Sequence, residues 1–560
     1  MGRPGRGPGC QASMTEPHTQ AASGAPPTER AAGHPVSSAW APLRQTMFRA
    51  LWIASLASNV GTWMQDVGAT WLMTSLTSSP ILIALVQAAT TLPIFLLALV
   101  AGALADVVDR RRLLLVTQSW MVLASGALGV LTLLGLASEA RLLAFTFLLG
   151  LGAALNAPAW QAIIPELVGR RDLPSALALN GIAINLARAL GPAVGGLLVA
   201  AAGPGVTFLL NAASFLGVIV VLYRWHRPPR QSLLPAENIL GALFAGLRYV
   251  RHAPDLHSVL ARSSAFIVFG CALPALLPVI VAFALKGGPV DYGLVLTFFG
   301  TGAVLGAVVL PRLRHALSTD GLVNAASLLF GIVLALLAFV PNIALLCVGT
   351  GLAGIAWILL LTSFHTSAQA ALAPWVRGRG LALYLLVLYG GMAGGSALWG
   401  AIAEHAGLRL ALLGAGLGLL ACMVLTTPYR LLRGEGPDLA PSRHWAAPMV
   451  VEEPGADRGP VLITVEYRID PAVADDFARA MRDVRRIRLR DGAFRWDLLS
   501  DPAEPGRYVE SFMVESWVEH LRQHERVTVS DRAIEERARR YHRGPAPPSV
   551  SHFIARDLPR

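Results

Sequence analysis

Gly102-Ala-Leu104-Ala105-Asp106-Val-Val-Asp109-Arg110-Arg111-Arg112 is the stretch whose reading decides the fold. It closes an apolar run that carries no charge from Val67 to Ala105, and it ends where a second charge-free run, Leu113–Ser138, begins. A helix that crosses a bilayer needs about 20 apolar residues. Both runs reach that length, so two acids and three arginines lie in a short loop at a membrane surface. Consecutive arginines at a membrane-flanking loop also set its side, because basic loops stay cytoplasmic.

The same alternation continues on either side of the loop. Leu142–Pro165, Ser263–Leu285, Tyr292–Pro311, Gly380–Ala403 and Leu410–Tyr429 are each one span long. Three charge-free stretches are two spans long: Val67–Ala105 breaks at Thr77-Ser78-Ser79-Pro80, Ala189–Tyr223 at Gly203-Pro204-Gly205, and Gly321–Val376 at Pro341-Asn342. The pattern predicts an all-α polytopic membrane protein of twelve transmembrane helices. The first and fifth carry one charge each, Asp66 and Arg188. Composition agrees, since 54% of the 560 residues are hydrophobic and 14% charged, against about a quarter charged in soluble domains.

The net charge of +11 raises the question of a nucleic-acid partner, because clustered Lys and Arg neutralise phosphates. Its distribution argues against one. Residues 1–460 hold 28 basic and 18 acidic side chains, and residues 461–560 hold 18 and 17, so the excess sits in the apolar part. Between Arg44 and Arg433, 19 of 23 basic residues fall on one side of the predicted helices. The positive-inside rule then puts both termini in the cytoplasm. Cys10, Cys271, Cys347 and Cys422 are scattered, with neither a disulfide framework nor a metal spacing. No motif calls for a cofactor or a metal, and no Walker-type phosphate loop is present. Lys286 is the only lysine among 46 basic residues, a bias expected of a bacterial, GC-rich source.

Six segments follow. Residues 1–40 lack an apolar period and are expected to be disordered. Residues 41–224 form a first six-helix half and residues 259–433 a second. Between them, residues 225–258 form a loop in which Ile239, Leu240, Leu243, Phe244, Leu247 and Val250 recur at helical spacing, which predicts an amphipathic helix on the inner membrane surface. Residues 434–460 are a Pro-rich linker and residues 461–560 a soluble domain. The halves also match internally: Gln161 to Arg171, leaving the fourth helix, parallels Gln369 to Arg379, leaving the tenth. Two matched six-helix halves are the architecture of alternating-access carriers.

The Gly102–Arg112 loop resembles the cytoplasmic signature loop of the major facilitator superfamily, departing from its usual pattern at Val107 and Asp109. Gly102 would allow close helix approach, Asp106 would cap a helix and pair with an arginine, and Arg110 and Arg111 would complete a gating loop. Asn185-Leu-Ala-Arg188-Ala-Leu-Gly191-Pro192, Asn59 to Trp71 and Pro165-Glu166-Leu167-Val168 resemble the branch that contains the enterobactin-type exporters. The resemblance covers about residues 40–430. It implies a secondary active, proton-coupled efflux carrier of the bacterial inner membrane, moving a siderophore, drug or secondary metabolite.

An ionisable side chain in the hydrocarbon region costs about 2.5–3.5 kcal/mol on insertion scales, so it normally faces a cavity and has a partner. Asp66 and Arg188 lie at comparable depth and are expected to meet, either as a proton-coupling pair or as a fixed structural one. Asn59, Trp63, Gln65, Asn156, Asn185 and His365 are the candidate substrate-cavity residues, each with helix-to-helix bonding as the alternative.

After Pro460, a strand over Val461–Arg468, a helix over Pro471–Leu489, strands over Ala493–Leu499 and Tyr508–Trp517, helices over Val518–His524 and Val529–Tyr541, and a strand over Val550–Ala555 predict an α+β ferredoxin-like domain. The order resembles the dimeric αβ-barrel module of the antibiotic-biosynthesis monooxygenases, which implies a homodimer through this domain. Trp496, Trp517, His520, His524 and His542 are its candidate pocket residues. The whole reads as a transporter with no catalytic residues and with protons, a small molecule and the lipid bilayer as partners. Two alternatives stay open: a tail that modifies or binds the exported compound, and a membrane-tethered scaffold.

Overall fold

The computed structural model describes residues 40–169, 171–225, 239–431, 438–445, 448, 450, 454–455 and 457–556, except for the side chains of 99, 102–103, 105–107 and 239–245. The predicted N-terminal tail, apart from Trp40, and the side chains of Gly102 and Asp106 thus lie outside the described residues.

The first half comprises α1 (Thr46–Leu76), α2 (Pro80–Val107), α3 (Arg110–Leu133), α4 (Glu139–Leu167), α5 (Leu173–Ala202) and α6 (Pro204–Arg224). After α7 (Ile239–His252), the second half comprises α8 (Pro254–Gly270) continued by α9 (Ala272–Val279), then α10 (Pro289–Ala316), α11 (Thr319–Leu336), α12 (Ile343–Ala370), α13 (Arg377–Ala406) and α14 (Leu408–Leu425). Among the described residues, eleven helices are long and apolar enough to cross a membrane. Helix α1 has the length but is not among them; Asn59, Gln65 and Asp66 dilute its apolar character. Local chemistry sets the boundaries. Ser79, Ser138, Ser318 and Asn342 cap α2, α4, α11 and α12 through their side chains, each satisfying an amide the helix leaves open.

The two halves repeat one arrangement. In the first, α2 packs on α4, α3 on α6 and α4, and α1 on α5 and α6; in the second, α10 packs on α12, α11 on α14 and α12, and α8 on α13 and α14. Each half also ends in a tight helical hairpin whose connecting residue is a glycine at positive φ, Gly203 (81°) and Gly407 (91°), a conformation that excludes most other residues. The halves meet along α2–α13 and α5–α10. Their contacts gather away from the arginine-rich end. Glu404 of α13 accepts hydrogen bonds from the Ser79 hydroxyl and from Ile81 N (3.2 Å) at the start of α2, and Val67 of α1 joins the apolar core of the second half. The cluster at the other end, with Phe48, Leu51, Leu114, Ile163 and Leu222, draws on the first half alone.

Helix α7 forms where the amphipathic helix is expected, with Leu247 of its apolar stripe exposed and the side chains of Ile239, Leu240, Leu243 and Phe244 outside the described residues. Another face packs on protein: Tyr249 is buried, its hydroxyl donates to Ala371 O and accepts from Ala373 N (both 3.2 Å), and its ring meets Trp375 edge-on at 5.6 Å. The turn between α12 and α13 supplies a polar backbone that a lipid surface would leave unpaired, and Tyr249 satisfies it.

The C-terminal domain contains β1 (Val461–Arg468), α15 (Ala474–Asp491), β2 (Arg495–Ser500), β3 (Arg507–Val514), α16 (Trp517–Arg526), α17 (Val529–Arg539) and β4 (Ser549–Ile554). The sheet order is β2-β3-β1-β4, with every pair antiparallel, the ferredoxin-like arrangement the strand and helix order predicts. Alternation in β1 buries Val461, Ile463, Val465 and Tyr467 on one face. Residues 438–445 of the expected linker run along this domain, with Ser442 N bonding Val527 O (2.9 Å) and Val529 N bonding Ala440 O (2.9 Å).

Candidate functional site

Helices α1, α5, α10 and α13 converge where the halves meet. The backbones of α5 and α10 touch: a Cβ on Gly293 would stand 2.5 Å from Pro192 O, and one on Gly196 2.6 Å from Pro289 O. Likewise α1 and α5 lock at Gly191, where a Cβ would stand 2.4 Å from that of Trp63. Arg188 lies one turn before Gly191, and its guanidinium sits 6.0 Å from the centre of the Trp63 ring, the outer limit of a cation–π contact. Tyr389 of α13 lies within its electrostatic reach.

Asp66 is exposed although it stands between buried Gln65 and Val67, well inside α1. The structure does not bring it to Arg188. Among the described residues no ion pair or hydrogen bond joins the two; Trp63, one turn earlier on α1, takes the Arg188 side instead. Asp66 lies near Tyr292 of α10, whose hydroxyl bonds Thr70 and whose ring stacks with Trp71 at 6.2 Å.

The polar candidates divide. Gln65 is buried, and its amide oxygen accepts from the Ser125 hydroxyl and from Asn211 Nδ2, both at 2.6 Å, which pins α1 to α3 and α6. Asn156 Oδ1 accepts from the Thr117 hydroxyl (3.1 Å) and Gln118 Nε2 (3.2 Å), which ties α4 to α3. These two hold helices together and do not offer those oxygens to a ligand. Asn185 and His365 are exposed, and Asn59 and Trp63 are half-buried. Asn59 Nδ2 donates to Ser55 O (2.8 Å), and His365 bonds Gln369 (3.0 Å).

The loop that opened the reading is built differently from its resemblance. Gly102 and Asp106 lie in the last two turns of α2, and the residue that caps α3 is Asp109, whose Oδ1 accepts from Arg112 N at 2.9 Å. The N-cap must precede the first helical residue and have extended backbone, a geometry Asp109 has (ψ 115°) and a residue inside α2 does not. Arg110 pairs with Glu166 of α4 at 2.7 Å. Arg111 donates to the last carbonyls of α6, Leu222 O (2.9 Å) and Tyr223 O (2.7 Å), where a cation meets the negative end of a helix. Glu166, Tyr292, Tyr389 and Glu404 stand outside the candidate residues that sequence indicates. Only Glu404 carried a signal, as an acid at the end of an apolar run.

Comparison with known proteins extends this picture. The profile of the transmembrane secretion effector family matches residues 37–559. The multidrug efflux pump Tap of Mycolicibacterium fortuitum is 26% identical over 392 residues, 68% of this chain and 95% of that one. The staphyloferrin A transporter of Staphylococcus aureus is 24% identical over 341 residues, 61% of this chain and 85% of its own. The enterobactin exporter EntS of Shigella boydii is 28% identical over 389 residues, 68% of this chain and 90% of its own. Among solved structures, the nucleoside transporter NupG superposes with a TM-score of 0.53 at 12% identity, covering 68% of this chain and 98% of that one, a likeness of fold alone. With the matched helix bundles, the paired halves and a profile that spans bundle and sheet domain together, the chain belongs to the transmembrane secretion effector family of major facilitator transporters.

Proposed function

We propose that this transporter moves a small molecule out of the cytoplasm by alternating access, with the arginine-rich end facing the cytoplasm of a bacterial inner membrane, both termini on that side, and protons as the coupling ion. The relatives whose names mention siderophores and drugs support a substrate in that range. The observation that carries the coupling is Asp66, a carboxyl group in the pathway that has no cationic partner at ion-pair distance among the described residues. An intramembrane carboxyl group with no fixed cation beside it can exchange a proton with the water that reaches it. Asp66 therefore takes a proton when the halves close around it and releases it when water enters from the opposite side. Arg188, beside the Trp63 ring, marks where an acceptor group on the substrate binds.

Everted membrane vesicles test this. Wild-type protein is expected to release protons on adding substrate, and Asp66→Asn to bind substrate and exchange it across the membrane without proton movement. Proton-driven export at the wild-type rate in Asp66→Asn would remove Asp66 from the mechanism. A complete lack of substrate-dependent proton flux in wild type would favour the scaffold reading.

A further inference from the structure

Between the sheet of the C-terminal domain and its helices lies a cavity of about 660 Å³, within the 300–1,000 Å³ typical of small-molecule sites. Its apolar wall is Ile463 and Val465 of β1, Phe512 of β3, Trp445 and Trp517. His520, His524 and His552 supply the polar side, with ring centres of His520 4.9 Å from His524 and 4.7 Å from His552. Trp517 is 3% exposed, and its Nε1 donor has no hydrogen-bond partner. A buried donor left unpaired costs about 1–3 kcal/mol, and a ligand oxygen in the cavity would satisfy it.

The charges at the floor cancel. Arg488 bonds Glu510 (3.0 Å) and Glu535, and lies between the Trp445 and Phe512 rings at 4.7 and 5.1 Å. Glu535 also bonds His444 (2.9 Å) and lies 3.8 Å from Arg539. An anionic ligand would find the arginine already compensated, and a cation would meet it. The imidazoles add no charge, because burial first, then their mutual repulsion, pushes His520 down to about 3 and His524 to about 4. Neutral imidazoles each offer one donor and one acceptor.

Helix α16 has a second side. At about 100° per residue, Trp517, His520 and His524 fall within about 60° of one another, and Glu519 and Arg526 lie about 180–200° from Trp517. That opposite side docks on the membrane bundle. Glu519 pairs with Arg248 of α7 at 3.1 Å, and the Arg526 guanidinium covers the Trp375 ring at 4.6 Å, while Arg490 covers Tyr249 at 5.5 Å. Trp375 and Tyr249 are the aromatic pair that braces the turn between α12 and α13.

We propose that this cavity binds a neutral aromatic molecule bearing a hydroxyl or carbonyl oxygen, and that α16 relays its occupancy to the α12–α13 turn of the transporter. The site is separate from the transport pathway and does not depend on proton coupling.

Equilibrium dialysis of the detergent-solubilised full chain at neutral pH, with empty micelles as blank, compares 2-naphthol with 2-naphthoate, which carries an anionic carboxylate on the same ring system. The neutral compound is expected to bind more tightly by about tenfold or more, the cost of an unpaired buried charge. Trp517→Phe keeps an aromatic ring, smaller than the indole, removes the donor, and weakens 2-naphthol by about threefold or more. Val550→Trp, at a cavity-lining position that is 53% exposed on β4, fills the mouth without disturbing the core and abolishes binding. Equal binding of the two compounds, or 2-naphthol binding unchanged in both variants, overturns the site. For the relay, hydrogen exchange at residues 371–376 is expected to change on adding 2-naphthol, and to stop responding in the Arg248→Gln/Glu519→Gln double variant while dialysis still detects binding. Exchange that ignores 2-naphthol in the wild-type protein overturns the relay.

Discussion

Individual residues separate packing from chemistry. Gln65 and Asp66 are neighbours, yet one turns into the α1–α3–α6 contact and the other stands exposed, since adjacent helical positions point about 100° apart. Gln65→Leu would leave Asn211 Nδ2 without its acceptor. It is expected to lower thermal stability in detergent by about 0.6–1.7 kcal/mol, the range for hydrogen bonds between membrane helices, with substrate selectivity unchanged. In the tail, pH acts through His520 and His524, which face each other, His552 and Arg488. Their depressed values mean that the folded tail binds fewer protons than the unfolded chain between about pH 4 and 6.5. Stability is then complete above about pH 6.5 and falls as pH drops through that window. Glu535 adds a second loss lower down. Burial pushes it up, but Arg488 and the His444 and Trp445 bonds hold it at about 2, so its contribution fades from about pH 4.5 toward 2. Hydrogen exchange of β1 peptides across this range checks both; a flat profile from pH 7 to 4 would contradict the histidine assignment.

At the scale of elements, the closed end of the carrier is a helix terminus held by a side chain from the other half. Glu404 of α13 sits at the N-terminus of α2, where its negative charge meets the positive end of the helix. Glu404→Gln should therefore raise the population open at that end by about two- to fivefold, measured by spin-label distances between α2 and α13. Gly293→Ala acts on the same equilibrium through sterics. Its Cβ would press on Pro192 O and Gly196 Cα, at 2.5 and 3.0 Å, so two backbones must part. Thiol labelling from the α10 N-terminal end should speed up in this variant, and unaltered labelling would show that the α5–α10 contact does not gate. Element boundaries were legible because they rest on local signals: β1 spans the residues its alternation predicts, and capping residues stand at the helix starts. Which acid caps α3 is not legible locally, because Asp106 and Asp109 are both good capping residues and only the length of α2 chooses between them.

On the scale of the whole molecule, the sheet domain does not hang free. Its α15 and α16 cover α7 and the α12–α13 turn through Arg490, Arg526 and Glu519. Truncation after Arg433 should leave the bundle folded and alter turnover; unchanged transport and oligomeric state would deny the tail a role. The sequence by itself determined a helical bundle in two matched halves, the arginine-rich end and the order of the tail's strands, because hydropathy runs, charge placement and period-two alternation are properties of consecutive residues; of the twelve spans it predicts, eleven are long and apolar enough among the described residues. What only the tertiary structure decided is which polar groups meet. Arg188 stops at Trp63, Asp66 stands without a cation among the described residues, Gln65 and Asn156 bind helices, and one side of α16 lines a cavity while the other grips the bundle. Those outcomes depend on the rotation and approach of helices distant in sequence, set by close contacts such as Trp63 on Gly191. No local pattern encodes such an angle.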